Sequence, residues 1–167
     1  MSIRFITADD AEVFSALRRD VTRENPVSMG LTYDEELTRT LDDFKAQLSF
    51  SHPNVMFGSF VEGKLAATAA IGLISRSPSS CHKMLMWGVF TSPAYRRRGL
   101  SRELVEAAIQ HAFGNGVHRV NLQVYVPNQP AIALYRSIGF MEYGVEPEAV
   151  CINGQFHDGV HMTLVKA

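Results

Sequence analysis

The stretch RRRGLS, residues 96–101, lies between a segment typical of a strand and a segment with the periodicity of a helix. The strand-like segment before it, MLMWGVFT at residues 84–91, is closed by Ser92-Pro93. After it, apolar residues recur at helical spacing, at Leu100, Leu104, Val105, Ala108, Ile109, Ala112 and Phe113. The stretch therefore predicts a strand, a short basic loop and the start of a helix.

This strand–loop–helix arrangement is suited to binding phosphate. The first amides of a helix have no partner within the helix, and the positive end of the helix dipole faces the preceding loop. Gly99 allows a backbone conformation or a close approach that a side chain would block. Arg96, Arg97 and Arg98 supply positive charge for a polyanion. Consecutive arginines also occur in solvated turns, so the loop alone does not decide the function.

A second motif, NQPAIALYRSIGF at residues 128–140, follows about thirty residues later. Together the two motifs resemble those of the Gcn5-related N-acetyltransferase (GNAT) family, which binds acetyl-CoA. The family's loop pattern is Gln/Arg-x-x-Gly-x-Gly/Ala, and its second signature runs from an Asn through Ala and Leu-Tyr to Gly-Phe. The matching positions are Arg96, Gly99 and Ser101 in the loop, then Asn128, Ala131, Leu134-Tyr135 and Gly139-Phe140. The best-matched region, from about Trp87 to Phe140, covers roughly a third of the chain.

The resemblance implies how acetyl-CoA would be bound. Backbone amides of the strand before the loop would hold the pantetheine arm and polarise the thioester carbonyl. The strand would be splayed from its neighbour by a bulge, which we expect at Gly88. Loop amides would take the pyrophosphate. The expected cofactor-binding residues are Val89, Phe90, Thr91, Arg96, Arg97, Arg98, Gly99, Leu100, Ser101, Arg102, Asn128, Ala131 and Tyr135.

Tyr135 is the expected catalytic residue. It lies seven residues after Asn128, so the two share a helix face about 10 Å apart along the axis. In the family the Asn contacts the pantetheine arm and the Tyr protonates the leaving thiolate. A compatible structural interpretation is that Asn128 caps the helix and Tyr135 packs in the core.

The general base is missing from the positions where relatives carry it. Leu85 and Gln123 stand where different branches of the family have Glu, and neither side chain can accept a proton. Ser101 replaces the usual Gly or Ala, so its hydroxyl would either bond a phosphate or crowd it. Other carboxylates could supply the base or attract a cationic substrate, or could simply be solvated: Asp34, Glu35, Glu36, Glu142, Glu146 and Glu148.

Composition excludes several classes of protein. The 167 residues are 46% hydrophobic and 20% charged with a net charge of −1, which argues against a nucleic-acid partner. No segment approaches the ~20 apolar residues of a membrane span, and the N-terminal residues lack the apolar run of a signal peptide. Cys81 and Cys151 are expected to be reduced thiols. We therefore expect a cytoplasmic protein without a membrane partner.

A metal site is not expected. His157 and His161 could face the same side of a strand, but no further ligands at zinc spacing accompany them. The preferred interpretation is two histidines at the solvent edge of a strand.

The order of elements predicts an α+β fold. A short strand at residues 3–6 precedes two helices that open with capping boxes at Thr7-x-x-Asp10 and Thr32-x-x-Glu35. Antiparallel strands, the loop helix, a strand, a second helix and two final strands follow. We expect residues 1–167 to form one domain with a mixed, mostly antiparallel central sheet flanked by helices.

The resulting hypothesis is an N-acetyltransferase that moves an acetyl group from acetyl-CoA to a primary amine of a small molecule or peptide. Two alternatives remain open: an acyl-CoA-binding sensor that has lost catalysis, and an interaction protein that uses the fold alone. The second would leave Asn128, Tyr135 and the arginine loop unexplained. Homodimer formation is also left open.

Overall fold

The computed structural model describes residues 1–167 and contains one seven-stranded sheet with helices on both faces. The strands are β1 (Ser2–Phe5), β2 (Val55–Val61), β3 (Lys64–Leu73), β4 (Lys83–Thr91), β5 (Arg119–Tyr125), β6 (Met141–Ile152) and β7 (Gln155–Val165). The helices are α1 (Ala11–Glu24), α2 (Pro26–Met29), α3 (Tyr33–Thr38), α4 (Leu41–Gln47), α5 (Leu100–Gly114) and α6 (Gln129–Ile138).

The strands lie in the order β1-β2-β3-β4-β5-β7-β6. Every neighbouring pair is antiparallel except β4 and β5, which run parallel at the centre. The predicted α+β fold with a mixed, mostly antiparallel sheet is confirmed.

Two hydrophobic cores cover the faces of this sheet. The larger packs α5 and α6 against β3, β4, β5 and β7, and its fully buried side chains include Leu104, Val105 and Val120. The smaller packs α1 and α4 against the other face around Phe14, Phe44 and other fully buried side chains. The central strands are therefore held from both sides, and the site described below lies between them.

The helical segment after Thr32 differs from the prediction. The spacing of Leu37, Leu41, Phe44 and Leu48 predicts one continuous helix, but the structure contains two short ones. The chain becomes extended at Arg39, and Thr40 then opens α4 with its own capping box, in which its hydroxyl accepts from the Asp43 amide over 3.2 Å. Because capping satisfies amides that a helix end leaves unpaired, it stabilises a restart at this point.

The C-terminal hairpin is longer than predicted. Strands β6 and β7 together span residues 141–165 around a turn at Asn153-Gly154, whereas the sequence indicates only two shorter segments. The added length of β6 is mostly exposed and is interrupted by bulges near residues 143 and 147–149, so it lacks the alternation that marks a half-buried strand.

Candidate active site

Strands β4 and β5 separate at the middle of the sheet. They pair at only three positions, from Lys83 opposite Arg119 to Leu85 opposite Asn121. Beyond that point β4 continues to Thr91 and β5 continues to Tyr125, but the two strands no longer form hydrogen bonds with each other. The separation leaves a gap between two central strands, where the backbone of β4 is open to a ligand.

A bulge in β4 accompanies the separation, at the predicted position. Gly88 has a φ of +60°, and the pairing of β3 with β4 shifts register between Thr68 and Ala70. The Thr68 hydroxyl donates to the Gly88 carbonyl over 2.7 Å and holds the irregular backbone. Since a positive φ favours glycine, the glycine at residue 88 allows the bulge to form there.

Two cavities meet at this gap. The first, here called the loop cavity, has a volume of about 580 Å³ and lies between the end of β4, the loop at residues 92–99 and the starts of α5 and α6. The second, the gap cavity, has a volume of about 540 Å³ and lies between the separated parts of β4 and β5. Both are lined by Val89, Phe90, Asn128, Ala131 and Tyr135. Every predicted cofactor-binding residue except Arg98 lines the loop cavity.

The start of α5 has the geometry of an anion site. Gly99 caps the helix with a φ of +79°, and nothing lies within 4 Å of where its Cβ would be. Within the protein, the glycine is therefore required by the backbone conformation. The first helical hydrogen bond runs from the Glu103 amide to the Gly99 carbonyl, which leaves the amides of residues 100–102 without helical partners.

The three arginines of the loop have different surroundings. Arg97 lines the loop cavity, and its own φ is +62°. Arg96 also lines it but forms an ion pair with Glu24 at the end of α1, over 2.8 Å. The Arg98 guanidinium lies 5.3 Å from the centre of the Tyr95 ring, outside the cavity lining. The positive charge that faces the cavity is thus smaller than the sequence indicates.

Ser101 has a role that the sequence did not reveal. Its hydroxyl lies 2.7 Å from the hydroxyl of Thr91, so it joins the first turn of α5 to the end of β4. This hydrogen bond holds the two walls of the loop cavity at a fixed spacing. The serine at a position usually occupied by Gly or Ala is accommodated in this way.

Asn128 both caps a helix and lines the site. Its Oδ1 accepts from the Ala131 amide over 3.3 Å, as expected for the cap of α6. Its Nδ2 donates to the Ser28 hydroxyl over 3.1 Å, which ties the α2 segment to the site. The capping interpretation is confirmed, and the residue also borders both cavities.

Tyr135 lies where the two cavities meet. It is 6% exposed, and its ring packs edge-on against Phe140 at 5.6 Å. Its hydroxyl forms no hydrogen bond within the protein. The hydroxyl oxygen is not fully enclosed by protein atoms, so it is accessible from the cavity that Tyr135 lines. Burial raises the pKa of Tyr135, because a phenolate would be poorly solvated there. The hydroxyl therefore stays protonated at neutral pH and is available as a donor.

A polar cluster borders the gap cavity, and the sequence indicates it only in part. Gln123 Nε2 donates to Glu146 Oε2 over 2.8 Å and lies 3.3 Å from Nε2 of His161. His161 Nε2 also lies 3.6 Å from Glu146 Oε2. Gln123 and His161 line the gap cavity, and Leu85 supplies only an apolar wall. The position where relatives carry Glu thus holds an amide that is bonded to a carboxylate and adjacent to an imidazole.

The two histidines of β7, a strand that lies between β5 and β6, both have polar neighbours. Both are partly buried, and His157 Nδ1 lies 3.0 Å from the Val126 carbonyl. His161 packs among Gln123, Glu146 and the Tyr143 ring. No group of three or more His, Cys, Asp or Glu side chains is arranged to hold a metal ion.

A buried ion pair near the gap cavity could not be predicted from the sequence. Arg18 of α1 lines this cavity and forms two hydrogen bonds to Glu36 of α3, over 2.8 and 2.9 Å. Glu36, one of the carboxylates considered as a base or a solvated group, is fully buried and already paired. The partners are eighteen residues apart on different helices, so no local pattern relates them.

Comparison with known proteins places this geometry in context. Residues 14–140 match the family model described as "Acetyltransferase (GNAT) family". The N-alpha-acetyltransferase RimI of Mycobacterium tuberculosis is 32% identical over 111 residues, which cover 66% of each chain. A GNAT-family acetyltransferase from Streptococcus pneumoniae aligns over 99% of both chains with a TM-score of 0.88 and 25% identity.

A further solved structure shows the same fold. The phosphinothricin acetyltransferase of Sinorhizobium meliloti, in complex with AcCoA, has a TM-score of 0.85 and 16% identity, over 98% of this chain and 87% of that one. The aligned region spans 66% of the length of the RimI relative and about half of other curated relatives. None of the helices combines the length and the apolar character required to span a bilayer.

Proposed function

This chain belongs to the Acetyltransferase (GNAT) family, and on that premise we propose that it transfers an acetyl group from acetyl-CoA to a primary amine of a small molecule or peptide. The observation that carries the proposal is the gap between β4 and β5, with two cavities that meet at the Tyr135 side chain. A transferase that acts directly needs its donor and acceptor to reach one point from separate spaces.

In this proposal the loop cavity holds acetyl-CoA. The unpaired amides at the start of α5 bind the pyrophosphate, assisted by Arg97 and by the dipole of the helix. The pantetheine arm lies along β4 at residues 89–91 and beside Asn128. Backbone amides of β4 polarise the thioester carbonyl and stabilise the negative charge that develops on its oxygen.

The acceptor occupies the gap cavity, and its neutral nitrogen attacks the thioester carbon. The N–C bond forms, the C–S bond breaks, and Tyr135 gives its proton to the departing sulfur. The proton lost by the nitrogen goes to His161, whose positive charge is stabilised by Glu146 at 3.6 Å. The phenolate then regains a proton from solvent and the imidazolium releases one, so the products are an amide and CoA thiol.

This assignment of the base is favoured over the carboxylates of the helical arm. Glu36 is fully buried and paired with Arg18, and Glu35 caps α3 through the Thr32 amide. Neither lines the gap cavity. His161 lines that cavity, and imidazole is the side chain that most readily changes charge near neutral pH.

The proposal is tested by combining the protein with acetyl-CoA and a panel of amines and peptides. Release of free thiol and formation of the acetylated amine are followed together, and acetyl-CoA binding is measured separately as a rise in melting temperature. Binding with turnover supports the enzyme. Binding without turnover of any acceptor supports the sensor instead, and no binding at millimolar acetyl-CoA refutes both.

A matched pair of variants locates the cofactor. Arg97→Ala removes a guanidinium that lines the loop cavity, and Arg98→Ala removes its neighbour, which is stacked on Tyr95. The first variant is expected to weaken acetyl-CoA binding more than the second. Equal losses would contradict the proposed position of the phosphates.

A further inference from the structure

The gap cavity has an unusual balance of charge for a site that receives an amine. It is lined by 17 residues, of which 11 are hydrophobic, and none is Asp, Glu or Lys. Arg18 is its only permanently charged side chain. A polycationic acceptor would find no carboxylate in this lining, whereas an anionic group would find one guanidinium.

Arg18 has hydrogen-bond donors to spare. Its Nε and Nη2 each donate to one oxygen of Glu36, which uses two of the five N–H groups of a guanidinium. Nη1 forms no hydrogen bond within the protein. Nη1 is not among the fully enclosed polar atoms that lack a partner, so it retains some accessible surface. Arg18 lines the gap cavity although it is only 8% exposed, which makes Nη1 the donor available to a group bound there.

A second arginine shares the buried carboxylate with Arg18. Arg39 also approaches Glu36, at 3.8 Å, and the Nη2 of Arg19 donates to the Arg39 carbonyl over 3.4 Å. Two guanidinium groups, of Arg18 and Arg39, thus share one buried carboxylate. Burial and then the charge of Arg18 lower the pKa of Arg39, against the opposing effect of Glu36 and Asp43, as expected for two like charges that lie close together. A second anion next to Arg18 would relieve this repulsion.

Arg18 is also close to the reacting part of β4. Its guanidinium carbon lies 5.9 Å from the ring centre of Phe90, two residues beyond the bulge at Gly88. A group bound to Arg18 therefore lies near the nitrogen that attacks the thioester. A small molecule bound to Arg18 would lie beside Phe90, which lines both cavities.

We infer that the acceptor is a small amine that also carries a carboxylate, an amino acid or a close analogue, with the carboxylate bound by Arg18. The inference rests on the proposed function and narrows its substrate class. The guanidinium forms charge-assisted hydrogen bonds to the carboxylate, while the apolar lining contacts the remainder of the molecule. The amine is then directed at the meeting point of the two cavities, where Tyr135 and His161 are available.

The inference is tested with matched acceptors and acetyl-CoA. Each amino acid with an apolar side chain is compared with its carboxamide and with the amine that lacks the carboxyl group. We expect kcat/KM for the preferred amino acid to exceed that for its amide by about 10- to 100-fold, as for a lost charge-assisted hydrogen bond. Amidation lowers the pKa of the neighbouring amine and enlarges its reactive neutral fraction, so intrinsic reactivity works against this result.

The outcomes separate the inference from the proposed function. Amides or simple amines that react as well as the acids overturn the inference and leave the acetyltransferase intact. Bound acetyl-CoA without binding or reaction of any carboxylate-bearing amine also overturns it. If acetyl-CoA itself does not bind, the proposed function fails first.

A double variant tests whether Arg18 binds the carboxylate of the acceptor. Arg18→Gln alone would remove both hydrogen bonds to the buried Glu36 carboxylate, so it is combined with Glu36→Gln to give a neutral pair that can still form a hydrogen bond. In the double variant KM for the acid should rise ~10- to 100-fold while turnover of the amide and acetyl-CoA affinity change less than about threefold. Arg23→Gln, on the same helix but exposed and bonded to Tyr33, is the control and should keep the preference. A folded double variant that still prefers the acid contradicts the inference, and the wild-type comparison decides it if that variant does not fold.

Discussion

Replacement of Tyr135 by Phe separates catalysis from structure at this site. The Tyr135 ring packs against Phe140 at 5.6 Å, and a phenylalanine ring fills the same space. The hydroxyl has no hydrogen-bond partner within the protein, so its removal strands no other group. We therefore expect Tyr135→Phe to change the free energy of unfolding by no more than about 0.5 kcal/mol.

The effect of this change on turnover should be large. A general acid contributes ~10²-fold or more, so loss of the proton donor raises the activation free energy by about 2.7 kcal/mol. Acetyl-CoA affinity should stay within about twofold, because a sulfur accepts only weak hydrogen bonds. The assays are initial rates of thiol release with a productive acceptor, calorimetric titration of acetyl-CoA, and denaturant unfolding.

The raised pKa of Tyr135 also predicts the shape of the pH profile. An acid is active while it is protonated, and burial keeps this phenol protonated beyond the ordinary value of 10.0. Tyr135 should therefore cause no decline in wild-type turnover between pH 7 and pH 10. Tyr33→Phe, which removes an exposed hydroxyl from α3, controls for the loss of a phenol elsewhere. Turnover and affinity of Tyr135→Phe both within about twofold of wild type would remove Tyr135 from the mechanism.

Four further outcomes are expected. Gly99→Ala should weaken acetyl-CoA binding and lower the free energy of unfolding by about 1–2 kcal/mol, because a φ of +79° strains any residue with a side chain. Denaturant unfolding measures this, and an unchanged variant would contradict it. Thr40→Ala should cost about 1 kcal/mol of unfolding free energy through the lost cap of α4, and no loss would argue against the break at Arg39. The hydrogen bond from Arg4 lowers the pKa of Asp10, so the stability advantage of wild type over Asp10→Asn should be present at pH 7 and diminish as the pH falls below 3.8; a pH-independent difference would refute that linkage. Turnover of a productive acceptor should survive EDTA, and inactivation that zinc reverses would refute that expectation.

The motifs around the loop could be predicted from the sequence because each is local. Gly99 and the apolar spacing of α5 place a capped helix start directly after a strand, and the structure contains both. Asn128 and Tyr135 share one helix, so a fixed rise per residue relates them. The same locality explains the correct prediction of the Thr32 capping box.

The parts that could not be predicted depend on tertiary contacts. Gln123 meets His161 through the register of β5 with β7, and Arg18 meets Glu36 between two helices. The Thr40 cap was hidden because Leu41 and Phe44 continue an apparent helical stripe across the break. In each case the sequence contains the residue types but nothing that fixes which side chains approach one another.

Hydrogen–deuterium exchange with and without acetyl-CoA tests the central claim, that the cofactor is held by the amides of β4 and of the first turn of α5. Without ligand, the amides at residues 100–102 lack helical partners and should exchange rapidly. Saturating acetyl-CoA should protect peptides that contain residues 89–91 and 100–102, while the exposed turn of the last hairpin, at Asn153-Gly154, stays unchanged. Binding that leaves both of these segments unprotected would contradict the account.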